Sequence, residues 1–250
     1  MAARLVEALS AAPSGVPIYK EIRRAMLSRL EQGAWAPGMA IPSETRLKQE
    51  FGVAIGTIRK AVDELVAENI LIRQQGRGTF VATHNRDRLL FHFFNIERQD
   101  GYKEYPDVRM LDFERGRADA RTAKKLKLRE GDRVLRFRNV LSLEGKKLML
   151  DDIALPERMF PKLTEKRLRE RPSTLYNLYQ DEFGLSVVRT EQRLRATLAP
   201  RETARALGLE QGLPMLEIHR LAFAYNDLPV EYRVSHVDTA NHDYVGGTRR

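Results

Sequence analysis

The sequence predicts an α+β protein built in two domains. Three observations carry that expectation. The first eighty residues show helical spacing that ends in a glycine-rich hairpin. The remainder repeats one helix–turn–strand unit at an offset of 81 residues. Apolar side chains make up 42% of 250 residues, enough for a core in each part.

Residues 1–16 are rich in Ala, Ser, Pro and Gly and are expected to fray. From Pro17, Ile18, Ile22, Met26 and Leu30 recur every four residues and define one apolar helix face. Gly33, Pro37 and Gly38 break that helix. Ser43 is a good N-cap for a second, short helix with Leu47 and Phe51 inside; Gly52 ends it. A third helix is expected over 54–69, with Ile58, Val62, Leu65 and Val66 buried. Thr57, Arg59 and Lys60 lie off that stripe, with Thr57 and Lys60 on one outward edge. Two short strands, 71–74 and 79–82, flank a Gln75-Gly76-Arg77-Gly78 tip.

Three helices and a hairpin in this order describe a winged helix-turn-helix over residues 17–82. A helix fits the DNA major groove, and a basic hairpin tip reaches phosphates or the minor groove. Helix–helix–hairpin modules also serve as protein-interaction domains, so the pattern alone leaves both uses open.

Residues 83–98 (THNRDRLLFHFFNIER) read as a short linker that turns apolar at Leu89, Leu90, Phe91, Phe93 and Phe94 and then packs as a strand or docks on the second domain. His92 reads as a packing or surface residue. In the 99–250 domain, AKKLKLREGDRVLRF (123–137) returns as ARALGLEQGLPMLEI (204–218). Each copy gives a short helix, a glycine turn and an alternating strand. Each strand then meets a hairpin, at Glu144-Gly145 and at Asn226-Asp227. Between the copies a helical stretch is expected near 157–163. Another helix starts at Ser173-Thr174 and stops at Gly184, and a strand follows over 187–196. The sum is a mostly antiparallel sheet of about six strands with helices.

Composition limits the chemistry. Zero cysteines exclude disulfides, thiolate zinc sites and cysteine nucleophiles. The five histidines lack metal spacing, and no nucleophile elbow or phosphate loop is present, so neither catalysis, metal nor cofactor is expected. No apolar run is long enough for a membrane span and no secretory signal is visible, which makes the cytoplasm the expected compartment. The net charge of +9 suggests a polyanion partner. Residues 1–82 hold 11 basic and 8 acidic groups, so only +3 belongs to the helical head. Pattern rather than total charge must carry a DNA claim.

Some segments are more specific. IPSETRLKQEFGVAIGTIRKAVDELVAENILIRQQGRGTFVA resembles the DNA-binding domain of GntR-family bacterial transcription factors: Pro42-Ser43-Glu44 opens helix two, Thr57-x-Arg59 lies in the recognition helix, and Gly76-x-Gly78-Thr79-Phe80-Val81 forms the wing. The resemblance implies DNA contacts from Ser43, Arg46, Lys48, Thr57, Arg59, Lys60, Gly76, Arg77, Gly78 and Thr79. Two departures stand out. Thr45 replaces the usual Arg, and the recognition helix begins Ala54-Ile55-Gly56-Thr57 instead of Ser-Arg-x-Thr. Losing one bidentate Arg–guanine pair removes about 1–3 kcal/mol of discrimination, so the family's common operator is not expected to transfer unchanged.

The second half resembles the UTRA effector domain of the HutC subfamily, whose fold is shared with chorismate lyase. EGKKLMLDDIALP, STLYNLY, the repeated A-x-x-L-x-L-x-x-G unit and LPVEYRVSH carry the likeness. It implies a small polar or anionic metabolite between the sheet and a helix start, a homodimer, and a pseudo-palindromic double-stranded operator; most relatives are repressors. A helix N-terminus suits an anion. Carried over onto this chain, the effector residues are Asp151, Ser173 as cap, Thr174, Tyr176, Glu231 and Tyr232, with Arg136 and Arg138 on the repeat strand. The Arg-x-Arg pair of sugar-phosphate sensors falls instead on Asn139 and Leu141, which speaks against a phosphosugar. A solvated strand face is the alternative for the two arginines, and internal salt bridges for Asp151 and Glu231. The ending His242-Asp243-Tyr244 departs from the family pattern and predicts a frayed last strand. A C-terminal domain that only dimerises is the rival reading.

Overall fold

A computed structural model describes residues 16–84 and 93–246. The expected fraying of 1–15 and the Leu89–His92 part of the linker lie outside them. Contacts divide the chain between Thr83 and His84 into two compact units.

The first unit holds α1 (Ile18–Glu31), α2 (Glu44–Phe51), α3 (Ile55–Ala67), β1 (Leu71–Gln74) and β2 (Gly78–Val81). Ile22, Met26, Leu30, Leu47, Phe51, Ile58, Val62 and Leu65 are buried, which is the i, i+4 stripe of each helix turned inward. Ile18 departs from its expected place and is 59% exposed, because it occupies the first helical position. Ser43 Oγ accepts from the Arg46 amide at 3.3 Å and caps α2. Gly52, at φ +65°, ends it, a left-handed position that costs glycine nothing. β1 and β2 pair antiparallel from Leu71↔Val81 to Gln74↔Gly78.

The second unit centres on six antiparallel strands: β4 (Asp107–Arg117), β5 (Arg133–Leu143), β6 (Lys146–Pro156), β7 (Arg189–Leu198), β8 (Pro214–Ala224) and β9 (Leu228–Val237), in the order β4-β5-β6-β9-β8-β7. The repeat is longer than its sequence signature. α4 (Ala120–Leu126) and α7 (Arg201–Leu207) stand 81 residues apart, and so do β5 and β8. β4 and β7 extend the copies upstream, and the halves meet at β6–β9. Each repeat helix packs on the other copy's central strand, α4 on β9 and α7 on β6. The two hairpins close as expected, with φ of +48° and +74° at Glu144 and Gly145 and positive φ at Asn226 and Asp227.

The opposite face carries α5 (Glu165–Arg169) and α6 (Leu175–Phe183). The stretch expected to be helical near 157–163 is only one 3-10 turn, Glu157–Met159; the helix forms later, where Thr164 Oγ1 caps α5 by accepting from the Arg167 amide. Phe160, Leu163, Leu168, Tyr176 and Tyr179 pack on Leu135, Phe137, Ile153 and Leu155. The C-terminal segment is not frayed. β10 (His242–Tyr244) pairs with β3 (Ile96–Arg98), and the Tyr244 hydroxyl donates to Gln192 Oε1 at 2.7 Å. Among the described residues, no helix is long and apolar enough to cross a membrane.

Candidate DNA-reading face and effector cavity

In the first unit, every residue expected at DNA is exposed or half-buried. Ser43 caps α2, Arg46 and Lys48 stand on it, and Thr57, Arg59 and Lys60 stand on α3. Gly76 and Gly78 hold φ of +70° and +118°, so the tip depends on glycine. Arg77 stacks over Phe80 at 5.7 Å. Other cations are engaged too. Arg46 Nε donates to Glu50 at 3.3 Å, and the Lys60 ammonium sits 4.1 Å over the Tyr19 ring of α1. Ala54 precedes α3 without a side-chain cap, and Ile55 is 39% exposed at its start.

Sequence reasoning missed Glu44 as an organiser. Its carboxylate accepts from Arg59 Nε at 3.1 Å and from Arg73 Nη2 at 3.3 Å, tying α2 to α3 and to the wing strand. Arg73 also pairs with Asp63 at 2.6 Å. Exposed ion pairs of this kind contribute about 0–1 kcal/mol, so a phosphate or base edge can replace the carboxylate at small cost.

In the second unit the strand period of two sorts the candidates by face. Asn139, Asp151, Ser235 and Ile218 form one cross-strand row, and Phe137, Ile153, Arg233 and Arg220 the next. Asn139, Asp151, Ser235 and Ile218 of the first row and Arg233 and Arg220 of the second line a cavity that Leu175 and Tyr176 of α6 also line. Asp151 accepts from Ser235 Oγ at 2.5 Å and from Arg233 Nη1 at 2.9 Å. Arg233 continues to Glu231 Oε1 at 2.9 Å. Glu231 Oε2 accepts from the Tyr179 hydroxyl at 2.8 Å, and Oε1 from Tyr176 at 3.3 Å. Burial, reinforced by the Glu231 charge, pushes both tyrosines upward, so they stay protonated donors. Burial works to lower Arg233, but Glu231 and Asp151 overcome it and hold the guanidinium far above its ordinary value. The expected residues Asp151, Tyr176 and Glu231 therefore belong to one buried network. Glu231 is fully enclosed by its partners and acts from behind the wall.

Four expectations need correction. Arg136 and Arg138 leave the strand on the other face, because they alternate with Leu135 and Phe137. There Arg136 donates to Asp119 and Thr122, each at 3.1 Å, and Arg138 to Asp112 at 2.8 Å. Tyr232 also lies opposite Glu231, with its hydroxyl 2.7 Å from His219 Nδ1 and its ring against Leu126 of α4. Ser173 does not cap α6. Thr174 does, its Oγ1 accepting from the Asn177 amide at 3.0 Å.

The cavity also holds residues not expected from the sequence. Arg171 and Arg220 line it, and neither has a carboxylate within ion-pair distance among the described residues. The register had a clue, since Asn139 and Leu141 are the positions where sugar-phosphate sensors carry arginines, and both line the cavity.

A capped short helix, an exposed second helix and a glycine wing, followed by a sheet domain with a polar-cornered cavity, define a DNA-binding transcriptional regulator with a sensor domain. The chain belongs to the GntR family. Residues 18–81 match the bacterial regulatory proteins of the gntR family, and residues 102–243 match the UTRA domain. Among relatives, the Escherichia coli (strain K12) protein named "Probable fructoselysine utilization operon transcriptional repressor" is 31% identical over 218 residues, covering 85% of this chain and 87% of that one. The histidine utilization repressor of Pseudomonas putida is 29% identical over 206 residues, covering 82% and 81%. The ligand-binding domain of a GntR-family regulator from Bordetella bronchiseptica superposes with a TM-score of 0.60 at 33% identity, over 64% of this chain and 99% of that one. The family is one of transcriptional regulators, not enzymes.

Proposed function

We propose that the chain is a cytoplasmic, homodimeric repressor whose two winged helices read a pseudo-palindromic operator, and that a small polar or anionic metabolite in the sheet cavity releases it. Half-sites about one helical turn apart follow from the two-fold pairing of such heads. Arg59, Thr57 and the Arg77 tip supply the DNA contacts in this reading, with Ser43, Arg46, Lys48, Lys60, Gly76, Gly78 and Thr79 positioning the backbone. Relatives named for utilization of fructoselysine or histidine support control of an operon that handles one small metabolite.

One observation carries the sensor half. A cavity lined by apolar and polar side chains in about equal number has a corner with more guanidinium than carboxylate. A domain that only dimerised would have no use for buried charge of this cost. Selection of random duplexes on the full chain gives the operator, and its affinity is then measured with and without metabolites. The expected result is a two-fold-related site whose affinity falls by roughly 5–150-fold with effector, the usual span of allosteric coupling. Operator binding that ignores every cavity ligand refutes the release mechanism.

A further inference from the structure

The cavity's buried atoms specify its ligand more narrowly. Three residues that line this cavity each carry a buried side-chain atom with no hydrogen-bond partner among the described residues: Arg171 Nε, Arg220 Nε and Asn139 Oδ1. Asn139 is 1% and Arg220 9% exposed. Buried polar groups are otherwise nearly always satisfied, and an orphan keeps the penalty of its desolvation. Two unpaired donors on guanidinium groups beside one unpaired acceptor describe the complement of a molecule with an anionic group and a donor next to it.

The charge sum selects the anion. Arg171, Arg220 and Arg233 oppose Asp151 and Glu231, leaving the corner at +1. A monoanion balances that. A phosphate monoester, at about −1.5 to −2 at neutral pH, does not. Beyond the corner, Phe93, Val108, Leu141, Met149, Leu175 and Ile218 form an apolar wall, with Asn95, Tyr105 and Tyr244 as the other polar groups of the lining. Burial lowers Arg171 from its ordinary value, as expected for a cation that lacks its counter-charge.

We infer that the effector is a monocarboxylate with an apolar or aromatic body, its carboxylate held by Arg171 and Arg220 and a neighbouring N–H or O–H donating to Asn139. This deepens the sensor reading above and rests on it. The anion site lies on the pre-α6 segment and on β8, not on the β5 positions 139 and 141.

The test uses thermal shift and calorimetry on the full chain. The probes are 3-phenylpropionate, 3-phenyllactate, indole-3-acetate and octanoate, each against its neutral primary amide, with glucose 6-phosphate and phenyl phosphate as dianions. The expected result is stabilisation by at least one carboxylate and not by its amide, stronger for a member with a donor beside the carboxylate. Arg220→Met and Arg171→Met should each weaken that binding by about tenfold or more, the value of one charge-assisted hydrogen bond. Both variants should keep or raise the unliganded melting temperature, because a buried charge without a counter-ion is removed. Binding by the phosphates or amides alone, or by nothing in the panel, overturns the inference, as does a loss of unliganded stability in both variants. If glucose 6-phosphate instead binds and releases the operator, the sensor reading stands while the carboxylate fails. If a carboxylate binds and the operator stays bound, the carboxylate stands and release fails.

Discussion

Asp119 serves two structures at once. Its Oδ1 caps α4 by accepting from the Thr122 amide at 2.7 Å, and its Oδ2 accepts from Arg136. The amide bond, with Arg136 behind it, holds this carboxyl below its ordinary value of 3.8. Its contribution to stability is thus complete above pH 3.8 and is lost as pH falls through the lower folded value. Asp119→Asn keeps the cap and removes the charge, so the acid limb of a pH–stability curve should flatten, with neutral stability lowered by what the parent loses on acidification and acid stability little changed. Asp151 behaves differently, because it is 1% exposed and paired to Arg233. Removing one partner of a buried ion pair costs about 3–5 kcal/mol. Asp151→Ala should therefore lower the denaturant midpoint of the second unit as well as effector binding. Arg59→Ala removes a side chain that is 59% exposed. It should weaken operator binding and leave the unfolding midpoint within about 0.5 kcal/mol of the parent; a destabilised variant would mark Arg59 as structural.

Helix ends were legible wherever one side chain does the work. Ser43, Gly52 and Gly184 sit where the sequence put them, because caps are local chemistry. α6 shows the limit of that reading. Ser173 and Thr174 are both good caps, and the sequence cannot choose between neighbours. Packing chooses, since Thr174 is 2% exposed beneath the helix start while Ser173 is half-buried. Thr174→Ala should cost about 1 kcal/mol in denaturant unfolding and Ser173→Ala almost nothing. The stretch after β6 was misplaced for a similar reason. A helical stretch was expected near 157–163, yet only Glu157–Met159 forms a 3-10 turn, and Phe160 and Leu163 pack into the core after it. The strands gave their alternation but not their faces. Arg136 and Arg138 look like anion ligands on charge alone, and the pleat sends them to α4 and β4 instead.

At the scale of the molecule, effector and operator must act on each other reciprocally if the release mechanism holds. Saturating operator DNA should weaken effector affinity by the same factor by which effector weakens DNA binding, and calorimetry in the presence of the duplex measures it. The repeat shapes this scale too. Each copy's helix lies on the other copy's strand, so neither half of the sensor sheet buries its apolar face alone. The sequence by itself determined the family, the order of helices and strands, the 81-residue repeat and the glycine-dependent wing. Those depend on neighbours a few residues apart or on motifs that survive divergence. Only the tertiary structure decided which charges share the cavity. Arg171, Arg220 and Arg233 come from three separate segments, and Asp151 reaches Arg233 across 82 positions. Their meeting is set by sheet register and by which face each pleat presents, and no local spacing encodes either.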